Sequence, residues 1–353
     1  MTILGLHHIT LVTAHAQRNV AFYTKTLGLR LIKQTVNFDD PGSYHLYFGD
    51  AQATPGTAIT FFAWPQAPQG IPGIGGTHHV ALTVPDRDGL LMWKRRLEDL
   101  GVAVDGPFER YYFTSIYFQD PDGVIIELAT AGPGMAVDEA LAVLGTGFCA
   151  PPEALLAHNR DAAAVRALTW PESVPMITPA MELRHGMHHI TAISSNIERT
   201  HAFFGDLLGM RRVKMTSNFD DPTSAHWYWG DETGRPGTLL TYFERDRQRH
   251  TRVRMGTGQT HHFALAVADD ASQLAWRERL LAAGLRVSPV MDRVYFKSIY
   301  THDPDGHIVE LATLGPGFTA DEPLEQLGQR LQLPPWLEEQ RASIERVLGG
   351  LNV

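Results

Sequence analysis

The residues best suited to chemistry in this chain are its histidines. Eight of the 17 stand as four adjacent pairs: His7-His8, His78-His79, His188-His189 and His261-His262. Neutral imidazole is the commonest metal ligand and carries protons near neutral pH. Each pair opens a short segment with the alternation of a half-buried strand. Side chains alternate faces along a strand. His7 therefore shares a face with Ile9 and Leu11, and His8 with Thr10. Likewise His261 goes with Phe263 and Leu265, and His262 with Ala264 and Ala266. The large apolar residues mark the face that packs on a helix. Parity thus aims the second histidine of each pair at a cleft and puts His7 and His261 on the packed face. A lone strand histidine is more often structural than a ligand, but four equivalent pairs resist that explanation.

Two glutamates complete the pattern. Asp120-Pro121-Asp122-Gly123 leads to Glu127 and Asp303-Pro304-Asp305-Gly306 leads to Glu310, each inside an isoleucine- or valine-rich run. Burying a carboxylate there is costly unless it is paired or ligates a cation, and a salt bridge is the plain alternative. The corresponding positions in the other two segments hold Thr60 and Thr241. Joining one segment of each type yields two imidazoles and one carboxylate. Non-haem iron(II) oxygenases use that set and keep coordination positions open. An octahedral isomerase site would call for a further carboxylate, which Thr60 and Thr241 do not supply. Arg110 and Tyr117 precede Glu127 by the same 17 and 10 residues that separate Arg293 and Tyr300 from Glu310. Such an arginine can hold an anionic oxygen and such a tyrosine can donate a proton. A local Arg–carboxylate pair beside a core tyrosine is the competing reading.

The elements that position these residues follow from self-comparison. Asn37-Phe38-Asp39-Asp40-Pro41 recurs as Asn218-Phe219-Asp220-Asp221-Pro222, and Gly132-Pro133-Gly134 as Gly315-Pro316-Gly317. Each half is itself double, and each quarter reads as strand, helix and several strands. The first runs from a strand over Gly5–Thr13 through a helix over Arg18–Leu27, stopped by Gly28, to strands at Tyr44–Phe48 and Thr57–Ala63. The fourth has strands at His261–Val267, Tyr295–Tyr300 and His307–Ala312 and a helix at Ser272–Ala283. The expected fold is α+β, with four βαβββ modules arranged as two tandem homologous domains. Domain 1–165 holds modules near 5–65 and 76–131, and domain 186–353 holds modules near 186–243 and 259–313. A helical tail is expected in each, near Asp138–Leu144 and Leu337–Leu348, with a linker around Trp170–Pro179.

Composition narrows the class. A net charge of −9 without a basic run argues against nucleic acid. No apolar stretch approaches the ~20 residues a membrane span needs, and no signal peptide is visible. The single cysteine, Cys149, rules out an internal disulfide and a cysteine-built zinc site. Together these point to the cytoplasm.

At Gly5-Leu6-His7-His8-Ile9-Thr10-Leu11, Thr35-Val36-Asn37-Phe38-Asp39-Asp40-Pro41 and Asp303-Pro304-Asp305-Gly306 through Glu310, the chain resembles the hydroquinone 1,2-dioxygenase branch of the vicinal oxygen chelate superfamily. The resemblance covers nearly the whole chain. It implies Fe(II), with Mn(II) as the alternative ion, held by His8, His262 and Glu310. It further implies catalytic roles for Tyr300, Arg293 and His261, and substrate-side or ligand-supporting roles for His7 and Thr10. A second set, His79, Glu127 and His189, is a further candidate metal site. The implied reaction is ring cleavage of a para-dihydroxy aromatic with O₂, in a protein compatible with homo-oligomers. Rivals are a catechol-type extradiol dioxygenase, a glyoxalase-like isomerase and a non-catalytic small-molecule binder. Chain order favours pairing neighbouring modules, which would give His8/His79/Glu127 and His189/His262/Glu310. The resemblance implies the crossed pairing, first module with fourth and second with third.

Overall fold

The computed structural model describes residues 1–183 and 185–352. Among the described residues, sixteen strands form two eight-stranded mixed sheets. The first module supplies β1 (Leu6–Thr13), β2 (Arg30–Asn37), β3 (Asp40–Gly49) and β4 (Ala58–Ala63). The second supplies β5 (Thr77–Val84), β6 (Val104–Glu109), β7 (Thr114–Gln119) and β8 (Ile125–Thr130). The third supplies β9 (Met187–Ser194), β10 (Arg211–Asn218), β11 (Asp221–Gly230) and β12 (Leu239–Glu244). The fourth supplies β13 (Thr260–Val267), β14 (Met291–Asp292), β15 (Lys297–His302) and β16 (Ile308–Thr313). One sheet runs β14-β15-β16-β13-β1-β4-β3-β2 and the other β10-β11-β12-β9-β5-β8-β7-β6. The modules therefore pair crossed, first with fourth and second with third. The neighbour pairing that chain order favours does not occur, because β1 meets β13 and β5 meets β9, both antiparallel.

Within a module the first strand pairs parallel with the last, as β1 does with β4 and β13 with β16. The helix after that first strand covers one face. Helices Arg87–Asp99 and Asp270–Ala282 are capped by Asp86 and Asp269, whose carboxylates accept from the backbone of Gly89 and Ser272. Their buried residues Trp93 and Trp276 pack into a core shared with Ile9, Leu11, Val80, Leu82, Phe263 and Leu265. In the first module the helix begins at Ala16, widens to π-helical turns over Phe22–Thr26 and ends at Gly28, whose φ of +68° suits glycine. The tail near Asp138–Leu144 is two short 3₁₀ turns rather than a helix, whereas Arg341–Leu348 is helical. No described helix is long and apolar enough to cross a membrane.

The strict alternation expected of the histidine strands is broken in the same way four times. Between Leu6 and His8 the register against β13 slips, so that His7 is an extra residue, and His261 is the extra residue opposite Thr10 and Leu11. His78 and His188 hold the same position in the β5–β9 pair. At a β-bulge the alternation of faces is interrupted. Leu6 and Ile9, three apart, consequently both enter the core, and so do Met187 and Ile190. Both histidines of each pair are thereby left on the side away from the helices. The packed-face placement of His7 and His261 is corrected accordingly.

Candidate metal centre

His8 comes from β1, His262 from β13 and Glu310 from β16, all almost wholly buried. Oε2 of Glu310 lies 2.9 Å from Nε2 of His262 and 3.4 Å from Nε2 of His8. In the other sheet, Oε2 of Glu127 lies 2.9 Å from Nε2 of His79 and 3.1 Å from Nε2 of His189. Among the described residues neither Oε2 has a hydrogen-bond partner, although two imidazole nitrogens flank each. Three converging donors with an orphaned buried carboxylate oxygen fit a shared cation. Ligands about 2.1 Å from one ion and at right angles to each other would be about 3.0 Å apart. Two imidazoles and a carboxylate suit a first-row divalent ion better than a hard, all-oxygen one. Burial by itself would raise the Glu310 carboxyl, but His8 and His262 outweigh it and hold Glu310 well below the usual carboxylate range.

The bulges give the first histidine of each pair a function that parity hid. Nδ1 of His7 is 2.8 Å from Nδ1 of His8, and Nδ1 of His188 is 2.9 Å from Nδ1 of His189. On its far side, Nε2 of His188 lies 3.2 Å from the carbonyl of Thr130, and His7 bonds the backbone of Thr313. A carbonyl only accepts, so the Nε2 of His188 carries the proton and its Nδ1 accepts from His189. That leaves Nε2 of His189 with its lone pair free for a metal. The same logic runs from Thr313 through His7 to His8. Burial, with His8 alongside, pushes His7 down to about 3, so it stays neutral.

A cavity of about 330 Å³ opens on the first cluster, lined by His8, His45, His261, His262, Arg293 and Tyr300 among others. Arg293 donates from Nε to the Tyr300 hydroxyl at 3.2 Å and from both Nη atoms to Asp39. Burial and Glu310 raise Tyr300 well above the ordinary phenol range, so it is a hydrogen-bond donor at neutral pH and not a base. Ser298 bonds the other oxygen of Glu310 and fixes the carboxylate. Thr10 Oγ1 stands 3.0 Å from Nε2 of His262 and 2.8 Å from Thr60, which bonds Nε2 of His45 at 2.9 Å. The chain continues to the Tyr47 hydroxyl, 3.0 Å from Nδ1 of His45. Burial holds His45 well below the usual imidazole range and therefore neutral. Sequence reading missed His45 and Tyr47. Their repeat as His226 and Tyr228, with matching bonds to Thr241, was the available signal.

A family model described as the Glyoxalase/Bleomycin resistance protein/Dioxygenase superfamily matches residues 5–128 and 186–311. A Bacillus subtilis (strain 168) protein whose name carries a provisional assignment as ring-cleaving dioxygenase MhqO is 34% identical over 345 residues, 98% of this chain and 96% of its own. The chlorohydroquinone/hydroquinone 1,2-dioxygenase of Sphingobium indicum is 30% identical over 347 residues, covering 98% of this chain and 95% of that protein. A crystal structure of a provisionally assigned dioxygenase from Bacillus subtilis superposes with a TM-score of 0.78 at 32% identity, over 100% of this chain and 98% of the other.

Proposed function

The chain belongs to the Glyoxalase/Bleomycin resistance protein/Dioxygenase superfamily, and from that premise we propose that it is an Fe(II)-dependent dioxygenase that opens the ring of hydroquinone-type aromatics. The observation that carries this reading is the buried His8/His262/Glu310 cluster facing a small cavity with Arg293 and Tyr300 on its wall. The 30% identity to a chlorohydroquinone/hydroquinone 1,2-dioxygenase over nearly the full chain supports the substrate class. His8, His262 and Glu310 would hold Fe(II), which would supply the redox chemistry needed to combine a phenol with O₂.

The chain's own residues do the rest. The rings of Phe62 and Phe296 line the cavity and suit a flat aromatic. Arg293 holds negative charge that develops on the substrate oxygens, and Asp39 keeps its guanidinium in place. Tyr300, protonated and oriented by Arg293, donates a hydrogen bond to the substrate oxygen. His45, neutral and buried on the wall of the same cavity, is held between Thr60 and the Tyr47 hydroxyl and positions that polar chain beside the substrate. His261, on the cavity wall, bonds His262 through Nδ1 at 2.8 Å and orients that ligand. In the overall change both oxygen atoms of O₂ enter the product as the carbon–carbon bond beside a hydroxylated carbon breaks.

The test is oxygen uptake. Protein purified without oxygen and reconstituted with Fe(II) consumes one O₂ per hydroquinone, and a chelator abolishes the uptake. Catechol gives little. Turnover with Zn(II) equal to that with Fe(II) would sink the proposal, since Zn(II) has no redox chemistry, and so would a preference for catechol.

A further inference from the structure

The two sheets carry equivalent clusters beneath dissimilar mouths. Around the first centre, Trp64 stacks on Phe62 with ring centroids 5.4 Å apart and meets His261 edge-on, while Trp336 packs against Phe38. The mouth is aromatic and the cavity is about 330 Å³, near the lower end for small-molecule sites. Around the second cluster, the place of Trp64 is taken by Arg245, which lies over Phe243 and pairs with Asp221. The cavity at this mouth is about 870 Å³, lined by His78, His79, Arg110, Tyr117, Phe243 and Arg245 among others. It lies outside, and shares His79, Arg110, Tyr117 and Phe243 with, an inner chamber of about 30 Å³ that reaches His189, His226 and Tyr228. Arg160, stacked on the lining residue Phe108, shares the single carboxylate of Asp220 with Arg110. One of its Nη atoms is buried without a partner. Asp105, at the exposed edge, and Asp120, bound to Tyr23, are the other carboxylates on this wall.

We propose that His79, His189 and Glu127 form a second metal centre, and that its larger, arginine-flanked cavity takes a dihydroxylated aromatic that bears a carboxylate. The metal half of this proposal stands on donor geometry. The three donor atoms lie 2.9 to 3.1 Å from one another, at least as compact as the first set. Glu127 is also held by the Tyr117 hydroxyl at 2.8 Å. His226, Tyr228, Thr241 and Thr191 reproduce the polar chain beside the first centre, so the second has kept its supporting groups as well as its ligands. The ligand half rests on the dioxygenase reading above for the diphenol and on the mouth for the anion. Arg110 and Arg245, held in place by Asp220 and Asp221, offer a ligand carboxylate two guanidinium groups with charge-assisted donors, where of the arginines Arg293 alone lines the first cavity, paired with Asp39.

Mn(II) titration of the full chain, read by metal content and electron paramagnetic resonance, decides the metal. The parent should bind about two Mn(II), while Glu310→Gln and Glu127→Gln should each bind about one. A parent that binds one Mn(II), all of it surviving Glu127→Gln, overturns the second centre. Should Glu127→Gln fail to fold, His79→Ala serves, and two resolved binding classes in the parent give the same answer. Anaerobic calorimetry on Mn(II)-loaded Glu310→Gln then reads the ligand. There 2,5-dihydroxybenzoate should bind about tenfold tighter than hydroquinone, and Arg245→Gln should erase the difference. Equal binding of the two compounds, unaltered by Arg245→Gln, overturns the ligand class. None of these readouts involves turnover. Two metals without oxygen uptake would count against the dioxygenase reading alone, and uptake with one metal against this inference alone.

Discussion

At the scale of single residues, each candidate ligand histidine has its Nδ1 against the Nδ1 of the histidine before it. His7 does not line the cavity at the first cluster, yet its Nδ1 is 2.8 Å from that of His8 and its other nitrogen is committed to the backbone of Thr313. Replacing it by phenylalanine keeps the buried volume and deletes the acceptor. The Nδ1 proton of His8 then has no partner, the opposite tautomer gains population, and Nε2 is lost as a ligand atom for that fraction. His7→Phe should weaken Mn(II) at the first centre by about 10- to 100-fold. His7→Asn, which restores an acceptor, should recover part of the loss. Titration of both variants with the second centre disabled by His79→Ala checks this, and unaltered affinity in His7→Phe would remove the relay. The sequence put all three residues of each cluster in view through repetition. It concealed His7's contact with His8, because a bulge leaves no mark in a pattern of apolar alternation.

At the scale of elements, the Asp-Pro-Asp-Gly turns join the two sheets. Asp120, between β7 and β8, accepts from the backbone of Asp122 and Val124 and from the Tyr23 hydroxyl of the first module at 3.0 Å. Asp303, between β15 and β16, is bound in the same way by its own turn and by Tyr242 of β12 at 2.9 Å. Burial pushes both carboxyls up to about 6 despite the donors around them. A carboxyl whose folded value lies above its unfolded value near 3.8 binds more proton in the folded state between those limits. Stability from this source is therefore present at low pH and is lost as pH rises from about 4 to 6. Relative to Asp120→Asn, the parent's unfolding free energy should fall across that window and stay level above it. The fall should be about 1.4 kcal/mol for every tenfold difference in proton affinity between the folded and unfolded carboxyl. Urea unfolding at a series of pH values measures the difference, and a flat difference would contradict it.

At the scale of the whole molecule, both central seams, β1 with β13 and β5 with β9, join the first half of the chain to the second. The linker between the halves is consequently not what holds them together. Met176, in that linker, is 73% exposed. A chain carrying a protease site after Met176 and cut there should elute as one particle in native buffer, keep its metal, and separate only in denaturant. Separation in native buffer would contradict the crossed assembly. The sequence by itself determined the fourfold module, its duplication, and the residue types that gather at the clusters, because those depend on periodicity and repetition along the chain. Only the tertiary structure decided which modules meet, which face the bulged histidines take, and that the cavities at the two clusters differ in size and in the number of arginines that line them. Each of those depends on contacts between segments far apart in sequence. Asp120 reaching Tyr23 and Arg160 reaching Asp220 are contacts of that kind, and the spacing of residues along one strand carries no information about them.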